Sequence, residues 1–160
     1  MRLKIMIGLT VIILLVLNYS IYKKEEIIDK GETVLLELAP VDPRSLMQGD
    51  YMRLRYALEN DAENDTANAT SPDVKSGYMV ISVNPQQIAS FVRFDDETPL
   101  ADNEKRLYYH KSYGGVRIVP DSFFFQEGHA DRYQNARYGV FKFDDSGNHI
   151  LTDLVDEPAS

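Results

Sequence analysis

The chain has no cysteine, no tryptophan and only three histidines among 160 residues. Without a thiol there is no disulfide, no thiolate nucleophile and no lipid-modified N-terminal cysteine, and a zinc site would have to be drawn from histidines and carboxylates in distant loops. The three histidines, His110, His129 and His149, fall in neither an H-x-x-x-H nor an H-E-x-x-H spacing. Nothing in the composition calls for a cofactor. Positive charge is also in short supply, with 17 Lys and Arg against 25 Asp and Glu. Every carboxylate lies beyond Tyr22, which leaves residues 23–160 at a net charge of about −10. Such a domain repels nucleic acid and anionic headgroups, and nucleic acid is excluded as a partner.

The first 22 residues have a different character. Ile5 to Tyr22 (IMIGLTVIILLVLNYSIY) is an uncharged run of eighteen, within the roughly 17 to 25 residues that cross about 30 Å of hydrocarbon. Tyr19 and Tyr22 fall where the chain leaves the lipid. A cleaved signal peptide would also begin with a basic pair such as Arg2 and Lys4, but residues 18–22 lack the small-x-small pattern that cleavage needs. The expectation is an uncleaved anchor at 5–22, which is also the contact with the bilayer. A short cytoplasmic tail at 1–4 precedes it, and a juxtamembrane linker at 23–31 comes after it. The basic start places the remaining domain outside the cytoplasm, which in a cell with two membranes means the periplasmic face of the inner membrane.

Residues 32–156 are expected to form a compact, mainly β, antiparallel domain, barrel-like or sandwich-like, with at most one or two short helices and a tail at 157–160. Glu32 to Val41 is apolar and β-rich. Tyr51 to Leu58 alternates, with Met52, Leu54, Tyr56 and Leu58 on a core face and Tyr51, Arg53, Arg55 and Ala57 on the other. Further strands are expected at Gly77 to Val83, Ile88 to Phe94 and Val116 to Val119. Tyr138 to Phe143 and His149 to Leu154 flank the turn residues DDSGN as a hairpin. Asn60 to Lys75 carries almost no apolar side chain and is expected as a mobile loop outside the core, and Asp95 to Arg106 as a second polar stretch. The one short helix expected beyond the anchor lies near Gly128 to Ala136.

The stretch GDYMRLRY, with Gly49, Asp50, Tyr51, Leu54 and Tyr56, resembles the GDYXXLXY family of membrane-anchored bacterial proteins. The apolar start, the DPRSLMQGDY segment and the closing ARYGVFKFDDSGNHIL segment extend the resemblance over nearly the whole chain. It implies a single-pass topology and a polytopic membrane protein as companion, and it implies no activity. Read from the residues alone, Gly49 and Asp50 shape a loop-to-strand junction, and a partner or ligand site at that junction is the functional alternative.

Ser45 ahead of Gly49 and Asp50, just outside an anchor, is also similar to the serine of type I signal peptidases. No methionine stands directly after the serine, however, and Lys75, Lys105, Lys111 and Lys142 do not sit where burial would make a base of them. Glu127, His129 and Asp131 lie close enough in sequence for a metal but look like a capped turn. DDSGN lacks the length and closing glutamate of a calcium loop. Aromatic side chains are the remaining feature. Tyr108, Tyr109 and Tyr113 surround His110, and Phe123 to Phe125 run consecutively, so one ring must point away from its neighbours. The reading is a non-enzymatic accessory module that docks on an integral membrane protein. Its contacts are expected from Arg53 and Arg55 in the motif strand and from Tyr109, Tyr113 and Phe124. A membrane-anchored serine hydrolase using Ser45 and a small-ligand sensor are the alternatives.

Overall fold

In the computed structural model, which describes residues 2–39, 51–68, 75–112, 115–144 and 146–158, the chain begins with a long helix, α1 (Arg2–Lys30). Its apolar side chains from Ile5 to Tyr22 are all exposed, and it is long and apolar enough to cross a membrane, with a mean hydropathy of 2.2 over an 18-residue window. The helix does not stop where the apolar run stops. Lys23 to Lys30 contains no breaker, Lys30 pairs with Glu26 at 3.2 Å, and Ile27 is buried against the domain. The segment expected as a linker is therefore helical to Lys30, and Gly31 ends it. A Cβ at Gly31 would collide with the Ile27 carbonyl and lie 2.9 Å from that of Phe143, so only glycine lets the helix meet the domain this closely.

Beyond the helix, the described residues contain nine strands. β1 (Glu32–Glu37), β8 (Tyr138–Phe143) and β9 (His149–Val155) form one antiparallel sheet in the order β1-β8-β9. β3 (Ser76–Val83), β4 (Ala89–Phe94), β5 (Glu104–Ser112) and β6 (Gly115–Ile118) form a second, in the order β4-β3-β5-β6. A short antiparallel ladder joins β2 (Tyr51–Arg53) to β7 (Ser122–Phe124). Single bridges from Leu35 to Ile88 and from Leu38 to Tyr56 tie β1 to the other layers, so the strands curl as a half-barrel around one core. Val34, Leu36, Tyr56, Met79, Ile81, Leu107, Ile118, Phe141 and Phe143 fill it. The mainly antiparallel β domain behind an apolar helix is thus the observed architecture.

Two local expectations are overturned. The motif strand ends at Arg53, and Ala57–Asn68 is a helix, α2, where a mobile loop was expected over 60–68. Leu58, Glu59 and Ala62 share its inner face at helical spacing and are buried, and Glu59 in the first turn complements the helix N-terminus. Residues 69–74 of that expected loop lie outside the described residues. The second correction concerns Asp95 to Arg106, whose last three residues open β5, a central strand. Its charges are satisfied in place: Arg106 bonds Asp95 at 2.7 Å, Arg93 bonds Glu104 at 3.1 Å and Lys105 bonds Glu32 at 2.8 Å. The short helix α3 (Ala130–Tyr133) falls inside the expected span. The β8–β9 hairpin turns as expected on Asp144, whose carboxylate accepts the Ser146 and Asn148 amides at 2.9 and 2.8 Å while Gly147 takes φ 83°.

Candidate functional site

From Tyr51 to Tyr56 the motif alternates between surface and core. Met52 and Leu54 are buried beside Tyr56, which is wholly enclosed. The Tyr56 hydroxyl donates to the Pro120 carbonyl at 2.7 Å, its ring meets Phe141 edge-on at 5.7 Å, and the Leu54 amide donates to the Asp121 carbonyl at 2.8 Å. Burial, with Glu59 and Asp121 nearby, raises the Tyr56 phenol far above its ordinary value, so it remains a neutral donor. The leucine and second tyrosine of the motif therefore clamp β2 onto the 120–121 turn.

Outward, the same ladder presents a different chemistry. Tyr51 stands opposite Phe124 and Arg53 opposite Ser122, so these four side chains share the face turned from the core. The Tyr51 and Phe124 rings lie 5.7 Å apart, and Phe124 is 74% exposed, the highest value among the large apolar side chains described. Its neighbours Phe123 and Phe125 turn inward onto Tyr133, at 5.2 and 5.6 Å. The consecutive phenylalanines thus divide two inward and one outward, as the alternation of a strand demands.

A buried ionic group lies behind the motif. Glu59 is fully enclosed, with one carboxylate oxygen accepting the Ile118 amide at 2.9 Å and the other accepting from Arg117 at 2.9 Å. Arg55 stands 3.9 Å from Glu59 and 3.9 Å from Glu63. Burial pushes the Glu59 carboxyl above its ordinary value, opposed by the Ile118 amide, Arg117 and Arg55. Sequence reasoning missed this group. Its signal was the run of Arg55, Glu59 and Glu63 at intervals of four, which is meaningful only once the segment is helical.

Other candidate residues lie elsewhere. Tyr109 is buried in the core, 5.1 Å from Phe94, so its ring does not join the outer face. Arg55 turns toward α2, leaving Arg53 as the exposed arginine of the pair. Gly49, Asp50, Tyr113 and Ser45 lie outside the described residues. Lys142 donates to Thr33 Oγ1 at 2.9 Å and to the Gly31 carbonyl at 3.3 Å, tying β8 to β1. His149 stacks on Phe143 at 5.1 Å, with Nε2 3.2 Å from the Val119 carbonyl. Among the described residues no three of His, Cys, Asp and Glu are placed to hold a metal ion.

Comparison with known protein families shows that residues 13–154 fit the model of a family described as GDYXXLXY protein. No curated protein and no solved structure matches the chain.

Proposed function

The chain belongs to the GDYXXLXY protein family, and from that premise we propose that it is a non-enzymatic accessory module of the inner membrane whose periplasmic domain docks on an integral membrane partner. The observation that carries this reading is the outward face of the β2–β7 ladder. A phenylalanine that is 74% exposed, tilted against a tyrosine at 5.7 Å and flanked by Arg53, combines the residue types that dominate protein interfaces. The motif explains why the face is rigid, since Leu54 and Tyr56 lock the strand from behind. Gly49, Asp50 and Tyr113 are proposed to extend the contact, while Arg55, turned toward α2, and Tyr109, in the core beside Phe94, take no part in it.

The test is purification of the full-length protein from its own cell in mild detergent, beside a variant carrying Arg53→Glu and Phe124→Asp. We expect one integral membrane protein to accompany the wild type and to be lost from the variant. The variant should keep the wild-type melting temperature, because both side chains are exposed. Recovery of the wild type alone from cells that make their full set of membrane proteins would overturn the proposal.

A further inference from the structure

A second surface feature lies away from the β2–β7 face, where α1 leaves the span. A cleft of about 620 Å³ opens between the helix and the domain. Tyr19, Ser20, Lys23, Lys24 and Ile27 form its helical wall, a single stripe at helical spacing. Its opposite wall includes Tyr78, Tyr108 and His149. Tyr78 and Tyr108 are a cross-strand pair, edge to face at 5.5 Å, and 48% and 39% exposed.

Three properties converge on one occupant. The first is depth: at 1.5 Å per residue Tyr19 to Lys24 covers about 7 Å of helix axis, the thickness of one headgroup layer beyond the hydrocarbon. The second is charge. Among the described residues the cleft is lined by two lysines and a histidine and by no carboxylate, in a domain where acidic residues exceed basic ones by ten. Asp144 acts on Lys23 from the neighbouring cleft, and among the described residues neither Lys23 nor Lys24 is ion-paired. The third is the wall itself, because tyrosine rings with one wet edge are the side chains that settle at a bilayer interface.

We propose that this cleft seats the phosphate headgroup of an anionic phospholipid belonging to the bilayer that α1 spans, with Lys23 and Lys24 on the phosphate and Tyr78 and Tyr108 against the glycerol region. The overall acidity of the domain then orients it: the face beside the anchor is the one that tolerates the membrane, and the rest is held off. The inference rests on α1 being inserted, and it does not require a protein partner.

The test uses full-length protein in nanodiscs of phosphatidylcholine containing phosphatidylglycerol. The absence of native cysteine permits a single fluorophore at Val119→Cys, on the rim of the cleft. Quenching by headgroup-labelled phosphatidylglycerol should be strong, and Lys23→Glu with Lys24→Glu should weaken phosphatidylglycerol retention by more than about 25-fold, since losing two lysine charges is worth about fivefold each and the new carboxylates add repulsion. Lys23→Gln with Lys24→Gln should weaken it in the same direction by about 25-fold, and Tyr78→Ala with Tyr108→Ala should reduce quenching at temperatures well below unfolding, with the melting temperature lowered by the loss of the cross-strand pair. Equal quenching and equal retention in wild type and lysine variants would overturn the lipid site, as would a cleft filled by a co-purifying protein. Carbonate extraction separates the two levels: release from native membranes overturns the anchor and the inference together, whereas retention with unchanged quenching overturns the inference alone.

Discussion

At the level of single residues, the fold depends on two buried polar groups that a hydrophobic pattern does not reveal. Tyr56 uses its ring as core and its hydroxyl as a clamp on Pro120. Glu59 is the more costly of the two, because a fully enclosed carboxylate is tolerated only while the Ile118 amide and Arg117 hold it. Its raised pKa means that the native state keeps the proton to a higher pH than the unfolded chain. The associated stability is fully present below the ordinary value of 4.5 and is lost as pH rises through the native value. Removing Arg117 takes away one of the influences that lower that value, so the carboxylate becomes still harder to ionise. Arg117→Ala should therefore cost about 3 kcal/mol near neutral pH, the low end for breaking a buried ion pair because Arg55 and the Ile118 amide remain, and markedly less near pH 4.5. Urea unfolding at the two pH values measures both; an equal loss at each would show that Glu59 is not the group concerned.

The elements show where period-2 and period-3.6 patterns compete. Met52, Leu54, Tyr56 and Leu58 are all buried, as alternation demands, yet only Tyr51–Arg53 is strand and Leu58 belongs to α2. Leu58 and Ala62 are four apart and therefore share one helix face, a relation hidden by the polar residues between them. The polar composition of residues 60–68 argued for a loop because it offers little to a core. α2 needs little, since one small alanine and an ion-paired glutamate complete its inner face. Ala62→Glu should accordingly lower the melting temperature by several degrees, the consequence of about 2 kcal/mol or more for an unpaired buried charge in a chain of this size. Asp61→Ala, at an exposed position on the same helix, should be nearly silent. A scanning-calorimetry comparison in detergent decides between them, and equal melting temperatures would mean that α2 does not pack as described. β5 offers a parallel lesson: its charged start reads as loop until Glu32 is brought to Lys105 from the first strand and the chain folds Asp95 back onto Arg106.

For the molecule as a whole, a helix long and apolar enough to cross a membrane continues without a break to the β layers. Ile27 is buried and Gly31 permits the close approach, so the domain is held against the helix instead of swinging on a flexible tether. Two surfaces then divide the work in the proposed reading, one beside the anchor for headgroups and one at Phe124 for a protein partner. The headgroup surface requires only that α1 is inserted, whereas the proposed periplasmic partner requires the domain to lie outside the cytoplasm. Fusion of alkaline phosphatase after Ser160 should yield an active enzyme, and a reporter that matures only in the cytoplasm should stay dark; the reverse pattern would invert the topology and remove the periplasmic partner.

The amino-acid sequence by itself determined the long apolar helix, the antiparallel β character of the domain behind it, the inward set of the motif and the DDSGN hairpin, because each is written in contiguous residues as composition, period or turn chemistry. Tertiary structure decided the rest. Whether Tyr109 faces core or solvent, whether Arg55 is free or held by α2, and which phenylalanine of three is left outside depend on segments that the chain brings together from a distance, as it brings Glu59 to Arg117 and Tyr56 to Pro120. A buried charge is stable only where its counter-ion and amide arrive together, and that coincidence is a property of the folded chain, not of any stretch of it.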